Sequence, residues 1–243
     1  MRDFTERFMG KDHFLAIKKA VFEDKVATIE ELVEALNTDF AGKEELRQWL
    51  VNKVPKYGND DDYADEMVKL GTGLYMDAIE KQKTRRGGNF VPGLLPVAAN
   101  IPFGWHTAAT AEGRHSGVPL ADGVSPTHNS DKKGLTLVYK SVSKIDYPRC
   151  TNGVIFNQKF SPSTLSKEED IRKFVHLLRT FMELGGMHVQ FNVVSASILK
   201  DAQKKPEKYT DLVVRVAGYS ARFTELSKPV QDDIIGRTEQ VLN

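Results

Sequence analysis

The 243-residue chain is 40% apolar, enough for a genuine core in one large domain or two small ones. Lys and Arg number 34 against 33 for Asp and Glu, and a net charge of +1 leaves no electrostatic footprint for nucleic acid. A single cysteine, Cys150, excludes an internal disulfide and a cysteine-cluster metal site, and no apolar run is long enough to span a bilayer. His13, His106, His115, His128, His176 and His188 form no His-x-x-x-His pair and read as hydrogen-bonded or solvated rather than as metal ligands. With no secretory h-region in Met1–Glu6, a cytoplasmic protein is expected.

In chain order, residues 11–53 read as helices. Thr28 with Glu31 has the capping-box pattern, and Ile29, Leu32, Val33, Leu36 and Phe40 recur at helical spacing. A second short helix carries Leu46, Trp49 and Leu50 and stops before Pro55. In the block Lys56–Asp65, Gly58 ends one segment, and Asn59 and the aspartates cap the next helix; a hard cation on the carboxylates is the weaker reading. That helix, near 63–83, shows Met67, Leu70, Leu74 and Ile79 on one side and ends at the basic, glycine-terminated Lys83–Gly88. The glycine- and proline-rich stretch 89–128 predicts no helix, only a short apolar strand within 90–101. Leu94, Leu95 and Val97 on it fit a cavity lining or ordinary core packing equally.

Further along, strands are predicted for 135–142 and 152–160, with Cys150 between them as a small buried residue. Ser166 and Glu169 repeat the capping-box pattern ahead of a helix with Ile171, Phe174, Val175, Leu178, Phe181 and Met182 on one face, and Gly185–Gly186 stops it. Residues 187–194 alternate polar and apolar as a two-faced strand does, and a short helix capped by Ser195 or Ser197 ends by Pro206. The β-branched run Val213, Val214, Val216 then reads as a strand interrupted at Gly218. Valines before that break and Phe223 and Leu226 after it suggest a turn buried in a core; composition alone favours a bulge or tight bend. A last helix starts near Ser227 with Pro229 in its first turn and Val230, Ile234, Thr238 and Val241 as its inward stripe. Helices alternating with strands place the chain in the α/β class.

Arg215-Val216-Ala217-Gly218-Tyr219 resembles the signature of the glycyl radical enzymes, the family of pyruvate formate-lyase and glycerol dehydratase. Other blocks resemble the family in the same order: Tyr57-Gly58-Asn59-Asp60; Ala111-Glu112-Gly113-Arg114, where the family has Pro-Asp-Gly-Arg; and the double glycine, strand, helix and Lys204–Tyr209 that precede the loop. Pro119–Pro126 is similar to the dehydratase-like and decarboxylase-like branches. The resemblance implies the C-terminal portion of a ten-stranded α/β barrel with a buried glycyl radical loop, residues 1–115 being the tail of the barrel domain and 116–243 the glycyl radical domain. It implies a radical lyase cleaving C–C, C–O or C–N bonds, with the radical stored on Gly218. Activation would come from a separate radical-SAM activating enzyme with an iron–sulfur cluster, for which the 120–243 region swings out, and no cofactor is bound by the chain itself. The surroundings of Cys150 lack the family's Cys-x-Glu motif, so the chain alone is expected to be inactive, completed by a missing N-terminal part, with a homodimer for the full-length enzyme. The alternative is a stand-alone spare-part subunit that repairs an oxygen-cleaved enzyme.

Overall fold

The computed structural model describes residues 12–241; the reading of Met1–Glu6 lies outside them. Three helices, α1 (His13–Ile17), α2 (Ile29–Asn37) and α3 (Glu44–Asn52), with a π-helical turn Lys18–Glu23 after the first, pack around Leu15, Ala20, Leu32, Phe40 and Leu50. The capping box of α2 forms as the sequence predicts: the Glu31 N–H donates to Thr28 Oγ1 at 3.1 Å and the Thr28 N–H to Glu31 Oε2 at 2.8 Å. Its apolar face is narrower than predicted, because Ile29 and Val33 are exposed. Helix α4 (Asp62–Glu80) is capped by Asp61, which accepts the N–H groups of Tyr63 and Ala64. Asn59 does not cap it; its Oδ1 instead receives the N–H groups of Lys132 and Lys133, both at 3.0 Å. This helix carries two apolar phases, and packing selects Val68, Tyr75, Met76 and Ile79 for the core while Leu70 and Leu74 face outward.

Two sequence expectations fail in the next stretch. Residues 89–128 do hold a helix, α5 (Asn100–Trp105), and the strand expected within 90–101 is a single parallel bridge between Leu94 and Val154. The predicted strand at 135–142 is helix α6 (Leu135–Ser143). Leu135, Val138, Tyr139 and Val142 satisfy the helical period as well as β-branching satisfies a strand, and packing against α4 and the phenylalanines 156 and 181 decides the matter.

The strand β1 (Asn157–Phe160) is central in a parallel sheet of order β2-β1-β5, flanked by β2 (Gln190–Val193) and β5 (Glu239–Gln240). Its crossover to β2 is α7 (Glu168–Glu183), which begins without the expected Ser166 capping box: the Ser166 hydroxyl donates to the Ser163 carbonyl instead. Of its predicted stripe only Phe181 is fully buried; Phe174 and Leu178 pack half-buried, and Ile171, Val175 and Met182 are exposed. Helix α8 (Ala196–Lys204) is capped by Ser195, and the hairpin β3 (Val213–Arg215) and β4 (Ser220–Arg222) leads to α9 (Lys228–Gly236). Ile234 is the buried member of the last stripe, whereas Thr238 lies past the helix and Val241 is exposed. Among the described residues the strands thus make a mixed helix–strand fold with an open three-stranded sheet and a separate hairpin, and no helix is long and apolar enough to cross a membrane.

Candidate functional site

Gly218 sits at the tip of the β3–β4 hairpin. The Val216 N–H donates to the Tyr219 carbonyl at 2.9 Å, leaving Ala217 and Gly218 as a two-residue tip, and Gly218 has φ +82°. A positive φ at this turn position is the conformation that a Cβ penalises, so the local chemistry asks for glycine. A Cβ built there would meet one neighbour, Ile155 Cδ1 at 3.2 Å, the movable end of a side chain. Conformation, more than crowding, selects glycine here.

The hairpin is fastened to the sheet by polar side chains of β2. Asn192 pairs both ways with the Arg215 backbone, accepting its N–H and donating to its carbonyl, each at 2.7 Å. The Gln190 Oε1 accepts from the Gly218 N–H at 3.2 Å and from the Arg215 Nε at 2.7 Å. Behind Gln190, its Nε2 donates to Asn157 Oδ1, and the Asn157 Nδ2 donates to the buried carboxylate of Asp122. Arg237 lies beside that carboxylate at 3.8 Å, pairs with Asp233 at 3.1 Å and donates to the Arg215 carbonyl at 3.3 Å. His188 accepts the Phe156 N–H at 3.3 Å; burial and then the nearby Arg215 charge push its pKa below the ordinary imidazole value, so it stays the neutral acceptor this contact needs.

One expectation about Gly218 is overturned. Val216 and Ala217 are buried, but Gly218, Tyr219 and Ser220 are exposed, so in this structure the loop is not an enclosed one. The apolar flanks point into the body of the molecule and the tip overhangs it.

The other residues singled out from the sequence fall elsewhere. Cys150 is fully buried, and burial raises its thiol to about 11, which makes it a packing residue rather than a reactive sulfur. Asp60, Asp62 and Asp65 do converge, but the Lys144 ammonium fills the space between them at 2.8, 2.8 and 2.7 Å. Burial opposes the Lys144 charge, yet the three carboxylates hold it firmly protonated, so the cluster is an ion-pair network and not a cation site. In the turn Ala111–Arg114, the Arg114 guanidinium donates to the carbonyls of Ala108 at 2.5 Å and Val118 at 2.6 Å, while Glu112 lies 2.8 Å from His13. Leu94 packs in the core and Val97 is exposed. The residues that sequence reading missed are Asp122, Asn157, Gln190 and Asn192. The alternation along 187–194 was visible, but its polar side is buried: Gln190 and Asn192 are 6% and 5% exposed, facing the hairpin rather than water.

Residues 120–224 match the protein-family model described as Glycine radical, and residues 10–104 match the one described as Pyruvate formate lyase-like. The chain is 47% identical over 236 residues to the probable dehydratase YbiW of Escherichia coli (strain K12), an alignment covering 93% of this chain and 29% of that protein. It is 41% identical to the trans-4-hydroxy-L-proline dehydratase of Clostridioides difficile, covering 94% of this chain and 29% of the relative. The solved structure of the glycerol-bound, B12-independent glycerol dehydratase from Clostridium butyricum superposes with a TM-score of 0.94 at 47% identity, over 96% of this chain and 30% of that one. The chain therefore spans about three tenths of the length of these relatives.

Proposed function

The chain belongs to the glycyl radical enzyme family, and we propose that it is the radical-bearing C-terminal part of a glycyl radical lyase of the dehydratase-like or decarboxylase-like branch, with Gly218 as the residue that stores the radical. The observation that carries this reading is the Gly218 tip itself: a glycine at φ +82°, its N–H held by Gln190, inside the stretch that matches the Glycine radical family. Loss of one hydrogen atom from its α-carbon leaves an unpaired electron that delocalises into the Gly218 nitrogen on one side and its carbonyl on the other. That requires the α-carbon to flatten, which only a residue without a side chain does freely. The dehydratase names of the similar proteins support C–O bond cleavage as the reaction class.

The two family matches, within 10–104 and 120–224, support a division near residue 115 into the tail of a ten-stranded barrel domain and a glycyl radical domain. Exposure of the tip suits abstraction of the hydrogen atom by a radical-SAM activating enzyme. Shielding of the formed radical from oxygen then falls to the remaining body of the longer enzyme, which also supplies the attacking thiyl, since Cys150 is sealed in the core. Anaerobic incubation with a matching activating enzyme is expected to give a doublet in electron paramagnetic resonance that Gly218→Ala abolishes. A doublet that survives the substitution refutes the assignment.

A further inference from the structure

We propose that Gln190 is the positioning residue for the Gly218 amide, and that the buried Asp122 carboxylate, two side chains further back, sets the direction in which the Gln190 carboxamide faces. The functional meaning of this rests on Gly218 as the radical carrier; the geometry does not.

A carboxylate only accepts, whereas a carboxamide offers an acceptor at one end and two donors at the other. Asp122 is almost wholly buried, with Arg237 at 3.8 Å and His128 at 4.0 Å beside it, so the side chain that meets it must donate. Asn157 does so through Nδ2, and its own position is pinned by its backbone N–H, which donates to Ser125 Oγ at 3.0 Å. With its donor end committed, Asn157 presents Oδ1 to its cross-strand partner, and that partner in the parallel ladder is Gln190. Gln190 must answer with Nε2, which turns its Oε1 toward the hairpin, where two donors wait: Gly218 N–H and Arg215 Nε. Reversing Gln190 would set donor against donor at Gly218 and Arg215, and reversing Asn157 would set acceptor against acceptor at Asp122 and donor against donor at Gln190. The polarity of three links is thus fixed by one charge at the far end.

A fixed acceptor on the Gly218 N–H holds the Ala217–Gly218 peptide plane, the reference about which the flattened α-carbon turns from φ +82° towards the coplanar arrangement that lets the electron spread onto nitrogen. As nitrogen donates density to the radical centre its N–H becomes more positive, so the contact to Gln190 is stronger in the radical than before activation. Gln190 acts through this amide and not on substrate.

The test reads the amide directly in the unactivated chain. Carbonyl-13C alanine with 15N glycine isolates two Ala–Gly pairs, Ala41–Gly42 and Ala217–Gly218, so the Gly218 amide is observed with Gly42 as an internal folding reference. In the wild type, Gly218 should exchange its amide proton about tenfold more slowly than an unprotected glycine, a factor fitting one hydrogen bond of typical net strength. Gln190→Leu should remove that protection, and Asp122→Asn, which offers Asn157 an acceptor or a donor and so lets both carboxamides turn, should lower it, each without changing Gly42. The double variant Asp122→Asn with Gln190→Glu moves the charge to the other end of the relay, lets Asn157 turn over, and should restore protection, where purely structural roles would give additive losses. Unprotected Gly218 in the wild type, or a double variant no better than Asp122→Asn alone, overturns the proposal while leaving the radical assignment standing. A missing paramagnetic doublet in every variant with intact amide protection counts against the radical assignment alone.

Discussion

Two glycine-to-alanine substitutions that look equivalent in sequence should differ sharply in cost. At Gly218 the added methyl meets Ile155 Cδ1 at 3.2 Å, and the backbone stands at φ +82°. The left-handed conformation costs an L-residue roughly 1–2 kcal/mol, and the reduced freedom of the unfolded chain returns about 0.4–1 kcal/mol. A net loss of about 1 kcal/mol follows, since a terminal methyl yields a few tenths of an ångström with little resistance. At Gly123 the methyl meets the Ile155 carbonyl oxygen at 2.1 Å and φ is +52°. That carbonyl accepts the Val124 N–H at 2.8 Å, so it moves only by breaking the contact that aligns the segment with the entry to β1. A loss of about 3 kcal/mol or more is expected, at or beyond the upper end of the usual cost of overpacking, because the atom in the way is backbone. Urea unfolding followed by circular dichroism measures both. A chain of this size shifts its melting temperature by about 2–4 °C per kcal/mol, so Gly218→Ala should remain folded at room temperature. Its loss of the radical signal would then be chemical and not a failure to fold. Equal destabilisation by the two substitutions, or a neutral Gly123→Ala, would refute the steric argument.

Lys144→Met should cost about 2–3 kcal/mol, because it strands the buried Asp65 carboxylate with the Ser141 hydroxyl as its remaining close partner. Asp62→Asn, at a side chain 92% exposed, should be nearly neutral in the same unfolding assay. The His188 contribution to stability should fall as the pH drops below about 6.5, where the unfolded chain protonates this side chain but the folded chain, with its lowered pKa, resists; Asp12 and His13, whose pKa values the fold raises, act in the opposite sense. His188→Gln should raise the unfolding free energy at pH 5.5 relative to that at pH 7, compared with the same pair of values in the wild type, and an unchanged difference would remove His188 as a source of pH dependence.

Features whose cause lies within a few residues were legible in the amino-acid sequence. The Thr28–Glu31 capping box, the Ser195 cap, Pro229 in the first turn of α9 and the glycine-demanding bend at Gly218 each depend on groups three or four positions apart at most. The family resemblance around Gly218 was equally plain, because it is carried by contiguous residues. Tertiary structure decided the rest. It made a helix of Leu135–Ser143, chose which of two apolar phases α4 would bury, closed Lys144 over three aspartates and left the Gly218 tip exposed. Above all it turned the polar side of β2 inward, where Gln190 and Asn192 meet the hairpin. A hydrogen-bond relay through positions 122, 157, 190 and 218 has no local period to announce it: each side chain is polar for the sake of a partner at least twenty-eight residues away, and only the folded chain brings those partners together.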